Sequence, residues 1–419
     1  MKINNLIITA LLLLAGGFAT ISAQTAGSPY SKFGYGLLDD NATAAQKQMG
    51  GVGYAMNSGR QINVKNPASY AFIDSLTFLF DMGVDLTSRS STQAAMDGVE
   101  ASKESRLGGG LDYITMQVPI GKRFGASFGL LPYSSVGYSF GTKITNGENS
   151  RQGSGGLNQL YLGFAGRIVG SLSAGVNFSY LFGNVINDIY TTTSAGSQSL
   201  FEQLTQVRDW HFEAGLQYTQ KINADNAIGL GVVWSPKKTL LGHASVTMYD
   251  INMDQDPEET ERISLKNNAE LPETWGAGIN WQWRKSLLVE ADFTYQPWSK
   301  VKLVNLKGFE PNRFADRYRM SFGAQFTPSQ RGGYFKRMTY RAGGFYNRDY
   351  MMVGDNHVKE YGVSFGFGFP MIASKTIVNL GVEFRHRQAT PNPLLKENYF
   401  NLRLGINFNE LWFFQNKLN

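Results

Sequence analysis

The fold of this chain is decided by stretches such as TFLFDMGVDL, at residues 77–86. Apolar residues occupy every even position from Phe78 to Leu86, whereas Asp81 and Asp85 occupy odd positions. Successive side chains of a β-strand point to opposite faces of its sheet. The alternation therefore predicts a strand with one apolar and one polar face.

Fourteen stretches of the chain alternate in this way, which predicts an all-β fold. The alternation is especially clear in residues 172–183 and 274–283. The predicted strands are residues 76–86, 110–120, 124–140, 157–168, 172–184, 207–220, 227–235, 271–283, 286–298, 316–327, 337–347, 359–369, 376–387 and 398–408.

The connectors between these strands are alternately short, as at 121–123, and long, as at 87–109. Outer-membrane barrels have short periplasmic turns and longer outside loops. The sequence thus predicts a 14-stranded antiparallel transmembrane β-barrel in a bacterial outer membrane, with both termini periplasmic. A secreted β-sandwich or propeller would also alternate. Such a soluble sheet would not need its charges on one parity. Here the charges within the strands lie on the polar parity, except at strand ends such as Asp112 and His386.

The first 23 residues have the three regions of a secretory signal peptide: Lys2, an apolar run over residues 6–18, and Ser22-Ala23. A membrane anchor helix is the alternative, although the run is short for a span. The chain has no cysteine, which excludes a lipoprotein anchor and disulfides. A net charge of +6 without a basic stripe does not indicate nucleic-acid binding. We expect no cofactor.

Residues 24–75 do not alternate and are rich in turn-forming residues. A disordered arm is one interpretation, but aromatic residues such as Tyr30, Tyr54 and Tyr70 can pack against a wall. We therefore predict a plug inside the barrel. The resulting domains are a signal peptide (1–23), a hatch (24–75), the barrel (76–409) and a periplasmic tail (410–419).

Two motifs carry a resemblance to a known family. One comprises Gly50, Gly51, Val52 and Gly53, followed by Asn66, Pro67 and Ala68 before the first strand. The other is LPETW at residues 271–275, followed by Tyr295, Trp298 and Ser299. Together they resemble the FadL/TodX family of outer-membrane transporters for long-chain fatty acids and other hydrophobic molecules. The C-terminal half is more similar to the Bacteroidetes branch, whose functions are less uniform.

The resemblance implies a barrel whose ligand binds among the outer loops, passes to a lumen pocket and leaves after the hatch moves. Family members often release it through a lateral gap beside a kinked third strand. Here the third predicted strand contains Leu131, Pro132 and Tyr133. Proline cannot donate to a strand ladder, so Pro132 marks either the lateral gap or a simple bulge.

Arginines on the polar parity are candidates for binding a ligand carboxylate, since guanidinium matches carboxylate geometry. The candidates are Arg317, Arg319, Arg341 and Arg403. The alternative is structural: such arginines, with Arg385, pair with lumen acids. The predicted acidic partners are Glu290, Asp292, Glu360 and Glu383.

The sequence does not indicate an enzyme. GxSxG occurs at residues 137–141 and 362–366, but both copies lie in predicted strands, whereas the catalytic motif needs a strand-to-helix turn. A calcium candidate has EF-hand-like spacing: Asp250, Asn252, Asp254, Glu258 and Glu261. Gln255 replaces the required glycine, so an acidic solvated loop is the alternative.

Two functions follow as expectations. The first is outer-membrane transport of a hydrophobic small molecule such as a fatty acid, with membrane lipids and lipopolysaccharide as surroundings. The second is a barrel subunit of an outer-membrane secretion or protein-assembly complex, with protein partners. The long outer connectors at 185–206 and 236–270 suit either role.

Overall fold

The computed structural model describes residues 27–95, 101–144, 147–193, 198–251, 258–266, 269–284, 286–303, 313–372 and 374–411. The predicted signal peptide and nearly all of the predicted C-terminal tail lie outside these ranges. In the part described, no helix is both long and apolar enough to span a membrane.

The strands have the following bounds: β1 (Leu37–Leu38), β2 (Thr77–Gln93), β3 (Ser102–Ile120), β4 (Phe124–Ile144), β5 (Gly147–Val169), β6 (Leu172–Thr193), β7 (Gln198–Lys221), β8 (Asn226–Ser235), β9 (Lys238–Leu240), β10 (Gly242–Ile251), β11 (Glu258–Lys266), β12 (Ala269–Leu271), β13 (Thr274–Trp283), β14 (Leu287–Gln296), β15 (Arg317–Phe326), β16 (Thr339–Val353), β17 (Asn356–Pro370), β18 (Ile377–Thr390) and β19 (Leu395–Leu411). The helices are single turns: Pro29–Lys32, Ala44–Lys47, Pro67–Phe72, Trp298–Lys300 and Tyr334–Arg337.

Fourteen of these strands, β2–β8 and β13–β19, form a closed antiparallel barrel. Each pairs with its neighbour, and β8 pairs with β13 across the inserted strands β9–β12. Closure is made by β19 and β2, from Leu395 opposite Gln93 to Leu411 opposite Thr77. The predicted 14-stranded antiparallel barrel is confirmed.

The two faces of the wall follow the predicted parity. In β6, Ser173 and Asn177 are buried inside the barrel, whereas Phe178 is 48% exposed on the outside. In β13, Asn280 is buried and Trp281 is exposed. The outward band of large apolar side chains is the surface that an outer-membrane barrel presents to lipid.

The strands on one side of the barrel are much longer than the alternation predicted. The regions 87–109, 141–156 and 185–206, expected as loops, are largely continuations of β2–β7. The upper part of β7 leaves β8 and pairs with β10, which pairs with β11. Alternation missed these extensions because a strand in water has no lipid face and can carry polar residues on both sides.

The structure also corrects the expectation that Asp112 lies on the apolar, outward-facing side of its strand. The ladder between β2 and β3 shifts register between Gly83 and Val84, so that Tyr113 lies opposite Gly83 and Leu111 opposite Val84. Asp112 is the extra residue of this bulge and is buried inside the barrel instead of facing outward. A parity rule fails at a bulge because two residues then occupy the place of one.

An aromatic cluster closes the end of the barrel to which the long connectors belong. Trp298 is fully buried and stacks on Tyr350, with ring centroids 4.3 Å apart. Tyr35 packs on the same tryptophan, and Tyr350 Oη donates to the carbonyl of Gly36 at 2.6 Å. This cluster fixes the beginning of the N-terminal segment, which we define as residues 27–75.

The two ends of the described chain lie at different levels of the barrel. Leu411, the last described residue, is paired with Thr77 at the end that carries the short turns. Ser28 donates its N–H to the Gly137 carbonyl of β4 at 2.5 Å, well above that end. The periplasmic position of both termini stays a prediction because residues 1–26 and 412–419 are outside the described ranges.

Candidate functional site

The N-terminal segment, residues 27–75, lies inside the barrel against its wall. The helix Pro67–Phe72 packs on β5 and β6, where a Cβ atom on Gly175 would lie 2.5 Å from the carbonyl carbon of Pro67. Asn66 caps this helix by accepting the N–H of Ala68 at 3.0 Å. The predicted hatch residues of the second group therefore form one contact with the wall, which needs glycine at the point of closest approach.

The predicted glycine group forms a turn against β16. Gly50 and Gly51 have φ values of 68° and 81°, a backbone conformation that glycine adopts without strain. The N–H of Gly50 donates to Ser364 Oγ at 2.9 Å. A Cβ atom on Gly50 would lie 2.5 Å from the carbonyl oxygen of Gly344. Side chains at this turn would therefore push the segment off the wall.

Two carboxylates of β14 hold the backbone that follows this turn. The N–H groups of residues 53–54 donate to Asp292 Oδ2 at 2.7 and 3.0 Å. Those of residues 55–56 donate to Glu290 Oε1 at 2.9 and 3.2 Å. We call this arrangement, in which four consecutive backbone donors meet two buried acids, the carboxylate clasp.

The four candidate arginines all point into the barrel and have different partners. Arg403 donates to both oxygens of Glu383, at 2.9 and 3.1 Å. The others bind as follows: Arg319 with Asp40, Arg317 with Asn347 and Gln296, and Arg341 with Gln48, Asn379 and Gln325.

The predicted pairing of lumen arginines with lumen acids is found for two of the four acids. Glu383 and Glu360 do pair with arginines, namely Arg403 and Arg385. Glu290 and Asp292 do not, because backbone N–H groups of the N-terminal segment occupy them. No sequence pattern specifies which donor reaches a given carboxylate across a lumen.

Asp40 joins the N-terminal segment to the wall through two cations. Its Oδ1 accepts from Lys65 at 2.9 Å and its Oδ2 from Arg319 at 3.0 Å, and both cationic side chains are less than 10% exposed. Burial alone would raise the pKa of Asp40. The charges of Arg319 and Lys65 outweigh burial, so the pKa lies below its ordinary value of 3.8.

This depressed pKa predicts a stability difference that depends on pH. A carboxyl group with a lowered pKa in the folded state stabilises the fold above its unfolded pKa and loses that contribution as pH falls through the folded pKa. The advantage of the wild type over Asp40→Asn should therefore be constant down to roughly pH 5 and shrink below about pH 4. Urea unfolding in detergent at a series of pH values measures it. An advantage that disappears already at pH 6 would contradict the assignment.

Lys47 and Asp112 form a second buried pair that sequence reasoning missed. Lys47 Nζ lies 2.6 Å from Asp112 Oδ1 and 3.3 Å from Asp39 Oδ1. Burial alone would lower the pKa of Lys47, but the neighbouring carboxylates of Asp112 and Asp39 outweigh it and leave the pKa raised. The available signal was a lysine in a segment otherwise predicted to be buried, since a buried cation needs a carboxylate partner.

Pairing between β3 and β4 stops part-way up the barrel. Their ladder runs from Ile120 opposite Phe124 to Ile114 opposite Leu130 and continues no further. Above it, Ser102–Tyr113 of β3 and residues 131–144 of β4 face each other without a ladder. We call this interval the seam.

The residues predicted to mark a lateral gap lie at the lower end of the seam. Leu131 is buried, and Pro132 precedes a register shift between β4 and β5. The Tyr133 carbonyl accepts the N–H of Asp39 at 2.9 Å. There β1 replaces β3 as the neighbour of β4, with Leu38 opposite Ser134. The N-terminal segment thus covers part of the edge that β3 leaves free.

Two cavities lie beside these contacts. A side cavity of about 800 Å³ adjoins the seam and is lined by residues that include Leu37, Leu111, Pro132, Phe182, Arg385 and Arg403. A central cavity of about 120 Å³ is lined by polar groups that include Lys65, His211, Glu213, Arg317 and Arg319. Of the four candidate arginines, Arg403 lines the side cavity, Arg317 and Arg319 line the central one, and Arg341 lines neither.

Of the calcium candidate, only Asp250, Glu258 and Glu261 lie in the described chain. Asn252 and Asp254 lie outside the described residues. Asp250 and Glu258 face each other across the β10–β11 hairpin, and Glu261 lies opposite Met248. No group of three His, Asp or Glu residues within the described ranges could hold a metal ion. Both GxSxG copies lie within strands, in β4 and β17.

Comparisons with solved structures show the same fold in a FadL homologue, a toluene transporter and a hydrocarbon channel. A Pseudomonas aeruginosa FadL homologue matches with 12% identity and a TM-score of 0.63, covering 89% of this chain and 99% of its own. The Pseudomonas putida toluene transporter TodX matches with 15% identity and a TM-score of 0.60, covering 90% and 100%. The CymD monoaromatic hydrocarbon channel matches with 14% identity and a TM-score of 0.57, covering 88% and 98%.

The FadL/TodX resemblance seen in the sequence is therefore shown at the level of the fold. No curated protein sequence matches the chain. A family model described as BamG matches residues 2–419. Because this match spans nearly the whole sequence, the chain belongs to the BamG family.

Proposed function

We propose that this protein is an outer-membrane barrel that binds a hydrophobic or amphipathic small molecule in the side cavity and passes it laterally through the seam. The observation that carries the proposal is the coincidence of that cavity with the end of the β3–β4 ladder. A cavity of about 800 Å³ has the size of ordinary ligand pockets. Its lining combines apolar side chains with a few charged groups, as such pockets do.

A straight route through the lumen is less well supported than the lateral route through the seam. The central cavity holds only about 120 Å³ and is surrounded by charged and amide side chains. The N-terminal segment below it is attached by the carboxylate clasp and by buried ion pairs. Moving it would leave several charges without partners, which is costly in a low-dielectric interior. The seam needs no such displacement of the whole segment.

Long-chain fatty acids are the finer proposal. A carboxylate in the side cavity can reach Arg385 and Arg403, while the acyl chain lies toward Leu111 and the lipid-facing wall. Both arginines already contact Glu383, at 3.1 and 2.9 Å, so a ligand carboxylate would share or replace this partner. The solved relatives described as toluene and hydrocarbon channels support a hydrophobic ligand class for this fold.

Filling the side cavity should weaken ligand binding. Ser134 is buried and lines the cavity, so Ser134→Phe places a ring in the space that the ligand would occupy. We expect affinity for oleic acid to fall at least about tenfold, measured by native mass spectrometry in detergent.

The matched control is Ser139→Phe, the same change on the same strand at an exposed position. It should bind oleic acid like the wild type. Equal binding by wild type and Ser134→Phe would contradict a ligand site in this cavity. A folded barrel in both variants, checked by its heat-dependent mobility in gels, ensures that the comparison concerns binding.

The second candidate is a barrel subunit of an outer-membrane secretion or protein-assembly complex. The family model that matches the chain is BamG and not a transporter family, which favours this role. The sheet formed by β4–β7, β10 and β11 adds a broad surface beyond the barrel wall. Native mass spectrometry of the extracted protein distinguishes the roles: a stable protein partner supports the subunit, and bound lipid without a partner supports transport.

A further inference from the structure

At the seam, β3 has a partner strand on one side only. β3 pairs with β2 from Ser102 opposite Gln93 to Gln117 opposite Leu79. Its pairing with β4 covers only Ile114–Ile120. In the described chain, Ser102–Tyr113 therefore have no partner strand on the side of β4. The backbone groups on this side form an open edge in the wall of an otherwise closed barrel.

Part of this edge lies at the depth of the lipid. The β3–β4 ladder contains seven residue pairs. With about 3.3 Å per residue and a tilt of about 40°, it rises about 18 Å from the turn. The apolar band of an outer-membrane barrel is about 25 Å tall. Unpaired backbone groups exposed to lipid are energetically costly, so a lipid-facing open edge calls for a partner.

The facing edge of β4 shows how such an edge is satisfied here. An extended stretch of the N-terminal segment is added to β4, with Leu37 opposite Ser135 and Leu38 opposite Ser134. Ser28 extends this contact by donating its N–H to the Gly137 carbonyl. The seam thus already accepts one added strand, and that strand serves β4, not β3.

The surroundings of the β3 edge specify the chemistry of a second added strand. Residues 108–110 are three consecutive glycines, which let another backbone approach closely. On the outer side, Leu107 and Leu111 are 59% and 53% exposed. On the inner side lie the polar groups of the side cavity, among them Asp112 and Arg403. A strand fitting both sides must alternate apolar and polar residues.

We infer that residues 102–111 of β3 are an acceptor site for one amphipathic β-strand of a second membrane protein. The strand would add to the open edge by backbone hydrogen bonds, with its apolar residues toward lipid and its polar residues toward the side cavity. This inference rests on the second candidate function, because it supplies the contact by which a barrel subunit holds a membrane-embedded partner.

Hydrogen exchange with a strand peptide tests the inference on the full-length protein in detergent. The probe is a synthetic peptide with the sequence of residues 172–183, which alternates cleanly. We expect peptide addition to slow amide exchange in residues 102–111 at least about tenfold and to leave the fully paired β17 unchanged. The matched control peptide carries N-methyl groups on alternate residues, which removes the donors of one edge but keeps the side chains.

Each result decides for or against the site. Protection by the unmodified peptide, and none by the N-methylated peptide, supports strand addition. No protection, equal protection by both peptides, or equal protection by oleic acid alone overturns it. The outcome is separate from that of small-molecule transport, because oleic acid binding and its loss in Ser134→Phe are measured without the peptide.

Discussion

Replacing Asp292 by alanine is expected to destabilise the barrel by about 4 kcal/mol, since it removes half of the carboxylate clasp. The N–H groups of Gly53 and Tyr54 then lose their acceptor in a buried place. Each buried group left without a hydrogen bond costs about 1–3 kcal/mol. Glu290 cannot compensate, because it already accepts the N–H groups of residues 55–56. Urea unfolding in detergent, followed by tryptophan fluorescence, measures the change.

Two variants accompany this experiment. Asp292→Asn retains a side-chain oxygen as an acceptor and should cost clearly less than alanine. Asp225→Ala removes a carboxylate whose ion pair with Arg284 is half exposed, and should change stability by no more than about 1 kcal/mol. If alanine at position 292 were as mild as alanine at position 225, the clasp would not hold the N-terminal segment.

Replacing Asp40 by alanine is expected to cost about 3–5 kcal/mol. Lys65 and Arg319 both donate to this carboxylate, and their side chains are 6% and 9% exposed. Removing one member of a buried ion pair is strongly destabilising because it leaves an uncompensated charge in a poor solvent for ions. Here one substitution leaves two cations without their carboxylate.

The adjacent residue offers the control. Asp39→Ala removes a carboxylate 3.3 Å from Lys47, but Lys47 keeps Asp112 at 2.6 Å. We expect a cost of about 1 kcal/mol, since the lysine is still paired. Thermal unfolding of both variants in the same detergent allows the comparison. Similar losses at positions 39 and 40 would show that the pairing of Lys65 and Arg319 is not what stabilises the segment.

The barrel itself was predictable from the sequence, strand by strand. In the alternating stretches 172–183 and 274–283, the polar parity includes Ser173, Asn177 and Asn280, and all three are buried inside the barrel. Parity is a local property, because successive side chains of a strand point to opposite faces of the sheet. It failed at Asp112, where a bulge in the β2–β3 ladder inserts one residue.

The candidate site was predictable only in part. Pro132 indicated a disturbance in the third strand, and the ladder between β3 and β4 ends two residues before it. The cations Lys47 and Lys65 were missed, because they become partners of Asp112 and Asp40 only when a long N-terminal segment folds into the lumen. Contacts between residues so distant along the chain depend on the path of the whole segment.

By itself, the sequence determined an all-β chain with fourteen alternating strands and a non-alternating N-terminal segment. These features are local: a period of two residues and a run of turn-forming residues can each be recognised without knowing what lies nearby. The tertiary structure decided which acids bind backbone donors, where β3 and β4 separate, and which arginine faces the side cavity. These depend on register and on the closure of the barrel, which bring together groups up to several hundred residues apart.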